Sequence, residues 1–140
     1  MVDAVSKKKT IAGLVNDAAV LLQKKVRLKA ALHDDARMVQ CVTCRKWDHW
    51  TKMQGGHFIS RTHTKHKLSE ENIHPQCQRC NGFLNGNYIA YSLYMQDMYG
   101  REWVENMLAT KTETKKYYRP EILDIIEELK AEVKDLESKL

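Results

Sequence analysis

Cys41, Cys44, Cys77 and Cys80 form two Cys-x-x-Cys pairs with 32 residues between them. A Cys-x-x-Cys turn presents two sulfurs to one side of an ion, and two such turns complete the tetrahedral sphere of Zn²⁺. A closed sphere leaves no position for water or substrate, so these four side chains are assigned to folding and not to chemistry. Inside the bracket lie His49, His57, His63, His66 and His74, and Asn81 follows the last cysteine directly. Hydrolysis of a phosphodiester needs a base to activate water, a divalent ion to stabilise charge on the phosphate and leaving oxygen, and a group that orients the base. His57, Asn72 and Asn81 offer those types in a workable order. His57 sits on a first strand, Asn72 at the end of the following loop, and Asn81 on the first turn after the final cysteine.

The elements that must position these residues can be read along the chain. Residues from about Lys8 to Leu32 have helical spacing, with Leu14, Ala18, Leu21, Leu28 and Leu32 near one face. Lys24, Lys25, Arg27 and Lys29 crowd its second half, either as a solvated face or as an arm that tracks phosphates. Gly55-Gly56-His57-Phe58-Ile59 reads as a strand entered through a flexible glycine pair, and Ser60 to Glu71 as an exposed polar loop. Asn72-Ile73-His74-Pro75 reads as a second strand, which Pro75 restricts to an edge or to its last residues. A helix is expected to open near Cys77 and to carry Cys80 and Asn81. Further helices follow from Ile89 to Tyr99 and from Glu102 to Ala109. Tyr88, Tyr91, Tyr94 and Met95 are assigned to core packing rather than to base stacking. Arg119-Pro120 begins a final helix, with proline in its first turn. There Ile122, Ile126, Leu129, Val133, Leu136 and Leu140 form a short heptad seam, suited to the N-terminal helix or to a second copy; a homodimer is the expected assembly.

The composition sets limits. A chain of 140 residues suits one domain with helical extensions, but the polar stretch between the cysteine pairs has little apolar surface to bury, and a metal can supply the missing stability. No signal peptide and no bilayer-length apolar run is visible. With the Cys-x-x-Cys spacing, that favours zinc thiolates over disulfides and a cytoplasmic location. The net charge of +5 is uneven: Lys and Arg against Asp and Glu number 8 and 4 in residues 1–40, 7 and 4 in 41–100, and 8 and 10 in 101–140. A basic core suits a polyanionic partner such as DNA. Arg45, Lys46, Lys52, Arg61, Lys65, Lys67 and Arg79 are the candidate phosphate contacts.

The segment GGHFISR…ENIHPQCQRCN resembles the ββα-metal (His-Me finger, HNH-type) endonuclease motif. More closely, it resembles the phage NinG (Rap) recombination family, from the first Cys-x-x-Cys through Gly86-Asn87 and, more loosely, into the C-terminal tail. The resemblance implies an α+β fold with a zinc-stabilised ββα-metal core over residues 37–100; the chain's own pattern adds a basic helix over 1–36, to which the resemblance is not specific, and a helical tail over 101–140, a candidate dimerisation element. It also implies a structure-specific endodeoxyribonuclease for Holliday junctions and D-loops that leaves a 5′ phosphate and a 3′ hydroxyl. Carried over, His57 is the general base, Asn72 the middle asparagine, and Asn81 a ligand of a catalytic Mg²⁺ or Mn²⁺. One departure stands out. Many HNH nucleases place a metal-binding Asp immediately before the base, where this chain has Gly56. One ligand is then unaccounted for, and His74 is the first candidate, ahead of Asp48, His49, His63 and His66. The rival readings are a zinc-stabilised DNA-binding module without catalysis, an HNH enzyme that nicks linear duplex at a sequence, and a phage structural or packaging accessory.

Overall fold

The computed structural model describes residues 9–140; the expected helix start at Lys8 lies outside them. Helix α1 (Ile11–Ala31) opens at Thr10, whose side chain accepts a hydrogen bond from the Gly13 N–H at 3.0 Å. That contact satisfies one of the amide donors left free at a helix start. Leu14, Val15, Ala18, Leu22 and Val26 form its buried stripe, close to the predicted face. Helix α4 (Arg119–Glu137) buries Ile122, Ile126, Leu129 and Val133, and the two stripes meet in one apolar cluster that also takes in Ile73. The heptad seam therefore packs against α1 of the same chain, the first of the two partners that its spacing suited. The cations of α1 are engaged as well. Lys25 pairs with Glu132 and, at 2.9 Å, with Glu70; Lys29 reaches Glu70 at 2.6 Å and Lys24 reaches Glu137 at 3.2 Å. Arg27 donates to the Met53 carbonyl at 3.2 Å. Lys25 and Arg27 are thereby tied into the fold, while Lys24 and Lys29 stay largely exposed beside their carboxylate partners.

Two antiparallel hairpins carry the chemistry. Strands β1 (Met38–Gln40) and β2 (Trp47–His49) flank the first cysteine pair, a hairpin that the sequence reading did not anticipate. Strands β3 (Met53–His57) and β4 (Ile73–Cys77) pair in the register His57 with Ile73, Gly56 with His74, Gly55 with Pro75, Gln54 with Gln76 and Met53 with Cys77. The glycine pair lies inside β3 and is no flexible entrance to it, and the strand ends at His57 instead of running on to Ile59. Both glycines serve close approach. A Cβ on Gly55 would lie 2.6 Å from Gln23 Cβ of α1, and one on Gly56 would lie 1.8 Å from Gln76 Oε1. Successive residues of a strand face opposite ways, so Met53, Gly55 and His57 face α1, while Gln54 and Gly56 share the other face with His74 and Gln76. Pro75 stands within β4, on the strand's outer edge, where its carbonyl accepts from the Val42 N–H at 3.0 Å.

In place of the expected helix at Cys77, a short π-helical turn (Arg79–Phe83) carries Cys80 and Asn81. Helices α2 (Tyr88–Tyr99) and α3 (Arg101–Ala109) follow, broken at Gly100 with φ of 91°. They close over Phe58 and Ile59 with Tyr91, Met95, Val104 and Met107, so Tyr91 and Met95 are core residues as expected, while Tyr88 is exposed. Among the described residues, no helix is long and apolar enough to cross a membrane.

Candidate metal centre and histidine site

The two Cys-x-x-Cys turns converge. The four Sγ atoms lie within 4.8 Å of one another, and Cys44 and Cys77 stand 3.7 Å apart. A Zn–S bond of about 2.3 Å puts the sulfurs of a tetrahedron about 3.8 Å apart, whereas a disulfide needs about 2.05 Å. The donor set fits a metal such as zinc. Backbone geometry prepares it: Cys41 N–H donates to the Lys46 carbonyl at 2.8 Å and Arg45 N–H to the Cys41 carbonyl at 2.9 Å, with Arg45 at φ 69° closing the knuckle. On the other side the Asn87 side chain donates to Cys80 Sγ at 3.6 Å, and Gly86, at φ 96°, donates its N–H to the Cys80 carbonyl at 2.8 Å. Without a cation the thiols cannot all ionise. Burial raises the Cys41 thiol, but hydrogen bonds from the backbone at Cys44 and Cys77 and from Thr43 outweigh it and bring it down to about 6, while burial pushes Cys44 up to about 12.

His57 is buried at the end of β3, 7 % exposed. Its Nε2 lies 2.9 Å from the carbonyl oxygen of Lys67, and its Nδ1 is enclosed without a partner. A carbonyl only accepts, so Nε2 carries the proton and Nδ1 holds a free lone pair. Burial, reinforced by the positive charges of Arg61 and Lys67, lowers this histidine to about 4 against the opposing pull of the Lys67 carbonyl. The ring is therefore neutral at pH 7. It has the tautomer and protonation state of a base.

Asn72 is wholly buried and spends its side-chain hydrogen bonds on backbone, not on the imidazole. Its Oδ1 accepts from Ile59 N–H at 2.7 Å, and its Nδ2 donates to the carbonyls of Ile59 at 3.0 Å and His66 at 3.1 Å. It thereby fastens both ends of the loop that presents the Lys67 carbonyl to His57. Asn72 positions the His57 ring at one remove.

Asn81 lies apart from His57. Its Nδ2 donates to Gln54 Oε1 at 2.7 Å, on the face of β3 that His57 does not share. His74, the expected extra ligand, has both ring nitrogens taken. Nδ1 is 3.1 Å from the Tyr91 hydroxyl and Nε2 is 2.8 Å from that of Tyr99. Tyr91 spends its own proton on the Gly56 carbonyl at 2.7 Å. The Tyr91 oxygen must therefore accept from His74 Nδ1–H, which leaves Nε2 to accept from Tyr99. Burial lowers His74 to about 4, so it stays neutral, and this geometry leaves no nitrogen for an ion. His66 bonds Thr110 at 2.9 Å and His49 bonds Thr51 at 2.8 Å.

The basic candidates divide into two groups. Arg61 and Lys67 flank His57, and Lys67 also bonds Asn16 of α1. Lys46, Lys52 and Arg79 line a cleft of about 620 Å³ beside the cysteine cluster, together with Gln54 and Asp48. Arg45 lies over the Tyr94 ring at 5.8 Å, and Lys65 pairs with Glu113 at 3.6 Å, so neither joins these groups. Gln54, Gln76 and Tyr91 were missed as site residues; only the two-residue period of β3 and β4 could have pointed to the glutamines.

Comparison with known proteins gives one match: the family described as Bacteriophage Lambda NinG protein, over residues 4–139. No curated protein and no solved structure matches the chain.

Proposed function

The chain belongs to the Bacteriophage Lambda NinG protein family, which implies a role related to phage recombination, and from that premise we propose that it is a metal-dependent endonuclease cutting branched DNA such as Holliday junctions and D-loops. The observation that carries this reading is the state of His57. A buried imidazole with Nε2–H fixed on a backbone carbonyl keeps a bare Nδ1 that no structural bond uses, the state of a base ready to remove a proton.

His57 takes the proton from water at Nδ1, and the charge that develops on the ring is stabilised through the Nε2–H bond to the Lys67 carbonyl. Arg61 and Lys67 lie where a phosphate would approach the base. Bound Mg²⁺ or Mn²⁺ would stabilise charge on the phosphate and the leaving oxygen, with Asn81 among the residues that hold it. In an in-line displacement the attacking water and the leaving oxygen lie on opposite sides of phosphorus. Nδ1 is closed off in the free chain, so the loop after Phe58 gives way as DNA seats. The cysteine cluster takes no part beyond holding the π-helical turn against β3.

The test is cleavage of a labelled four-way junction against linear duplex in Mg²⁺, Mn²⁺ or EDTA, for wild type and His57→Ala. A general base contributes about 10²–10⁴-fold, and the variant should lose that much at unchanged zinc content. Junction binding without cleavage in any divalent metal would replace this reading with a DNA-binding module, and equal cleavage of linear duplex would replace it with a nicking enzyme.

A further inference from the structure

Tyr99 and Trp103 stand on either side of the Gly100 break between α2 and α3. Their rings stack, with centroids 5.9 Å apart and planes 29° from parallel. Tyr99 spends its hydroxyl inward on His74, whereas Trp103 stays 49 % exposed. Beside the pair opens a pocket of about 690 Å³, within the roughly 300–1,000 Å³ of sites that take small molecules. Glu71, Glu102 and Asn106 supply polar groups to its lining. Neither carboxylate nor the Asn106 amide has a hydrogen-bond or ion-pair partner among the described residues. Lys65 and His66 form another wall, on the loop whose Lys67 carbonyl holds His57 at 2.9 Å. Resting on the endonuclease reading, we infer that this pocket takes an unpaired nucleobase of branched DNA, stacked on Trp103, and so tells a branch with unpaired nucleotides from a fully paired one.

Every nucleobase has a flat π-face, so an exposed indole can stack on any of them. Discrimination falls to the edge of the ring. A carboxylate accepts and cannot donate, so Glu71 and Glu102 suit the exocyclic amines of cytosine, adenine and guanine. Thymine has no such amine. The same two charges repel phosphate. A nucleotide therefore enters nucleobase first, and its phosphates stay outside, where Lys65 is the one Lys or Arg of the lining to meet them. A paired nucleobase is held in its stack with its pairing edge occupied, and it cannot enter. The pocket and His57 also share a loop: His66 lines the pocket, and the next residue, Lys67, holds the imidazole. An unpaired strand is thus read on the segment that has to give way at Nδ1.

Fluorescence anisotropy on the zinc-loaded full chain tests this, without added Mg²⁺ or Mn²⁺ so that nothing is cut. The probes are labelled three-way branches, either fully paired or with three unpaired cytosines or thymines at the crossover. Wild type should bind the cytosine branch about tenfold more tightly than the paired one, as one stacked nucleobase allows. It should favour the cytosine branch over the thymine branch by about fivefold. Trp103→Ala should lose the tenfold gain and Trp103→Phe should keep most of it, with affinity for the paired branch unchanged in both. Glu71→Gln combined with Glu102→Gln, at two exposed positions, should bind the two unpaired branches alike. That readout is a ratio, which a general gain from lost negative charge leaves untouched. If Trp103→Ala does not fold, the glutamine variant decides. A gain that survives Trp103→Ala, a loss that falls equally on the paired branch, or no cytosine preference in wild type each overturns the inference. So does a cytosine preference that the glutamine variant retains. A chain that reads unpaired cytosine through Trp103 but cuts no branch in Mg²⁺ or Mn²⁺ keeps the pocket and removes the endonuclease reading. Branch cleavage with no effect of Trp103 on binding does the reverse.

Discussion

The Tyr91 hydroxyl donates to the carbonyl oxygen of Gly56 at 2.7 Å, and that carbonyl belongs to the peptide bond leading into His57. Behind it, His74 donates to the Tyr91 oxygen across 3.1 Å and accepts from Tyr99 across 2.8 Å. The chain of bonds runs one way, from a half-buried phenol to the backbone beneath His57. Tyr91→Phe removes its middle link and leaves the Gly56 carbonyl and the His74 Nδ1–H unpaired in a dry interior. Each orphaned group costs about 1–3 kcal/mol, a loss that denaturant unfolding can read. Cleavage should fall in kcat more than in KM, because the base is displaced while the phosphate contacts survive. Tyr99→Phe should cost less, since water can reach His74 Nε2 from that side. Equal effects would mean that the tyrosines act only as packing.

Acid should destabilise this protein earlier than its carboxylates require. His57 and His74 both sit at about 4 in the fold, against an ordinary value of 6.5. Between those values the unfolded chain binds protons that the folded chain refuses. Stability therefore rises with pH across that window and is lost as pH falls through it, by roughly 1.4 kcal/mol per pH unit for each histidine. Above 6.5 these two groups contribute no pH dependence. Urea unfolding from pH 7 to pH 4.5, with zinc content followed in parallel, measures the slope, and His74→Gln should remove about half of it. The same property should hold the acid limb of kcat/KM for cleavage below pH 5, whereas an exposed histidine would give an inflection near 6.5.

Much of this could be read from residue types and spacing. The cysteine cluster follows from two turns that must each point two sulfurs at one ion. The α1 and α4 stripes follow from helical periodicity, and Pro75 on the outer edge of β4 follows from its missing N–H. What periodicity cannot say is which partner covers a stripe, so the seam of α4 suited a second copy as well as α1. Basic residues raise the same difficulty: Lys24, Lys25 and Lys29 read as free cations until Glu70, Glu132 and Glu137 arrive from distant segments. At the site, His57 stood out by type, but its tautomer depends on a carbonyl ten residues away. His74 was a reasonable ligand by type, and only the fold brings Tyr91 and Tyr99 to its two nitrogens. Gly56 read as a gap in a ligand set; in three dimensions it is the space that Gln76 fills.

Removing the metal should unfold one part of the molecule before the rest. Cys41 and Cys80 lie at the centre of a small apolar cluster with Ala31, Val39 and Met53, so the cysteine sphere and this cluster stand or fall together. The α1–α4 pair has a separate and larger cluster of its own. A strong chelator at neutral pH should therefore melt β1–β2 and the π-helical turn, at a cost of several kcal/mol, while α1 and α4 keep slowly exchanging amides. Hydrogen exchange by mass spectrometry resolves the two regions. Uniform loss of protection would mean that the metal holds the whole fold, and no loss would mean that the cysteines hold none.

The two glycines of β3 should respond differently to the same added methyl group. At Gly56 the obstacle is the end of a side chain, Gln76 Oε1, and Gly56→Ala should cost about 1–3 kcal/mol through overpacking. At Gly55 the obstacle includes backbone, because the new Cβ would lie 2.8 Å from Gln23 Cα as well as 2.6 Å from its Cβ. Helix α1 is pinned to α4 from behind and cannot retreat without opening the larger core, so Gly55→Ala should cost more. Gln76→Ala separates the two cases. By itself it destabilises, because the Thr43 and Gly86 partners lose their donor. In its background Gly56→Ala should become nearly free, a strong coupling of the kind expected for touching residues. Gly55→Ala should keep its full cost there, since its clash is on the opposite face of the strand. A double-mutant cycle in urea measures both couplings. Equal couplings would contradict the assignment of Gly55 and Gly56 to opposite faces, and with it the placement of His57 on one side of β3 and Gln54 on the other.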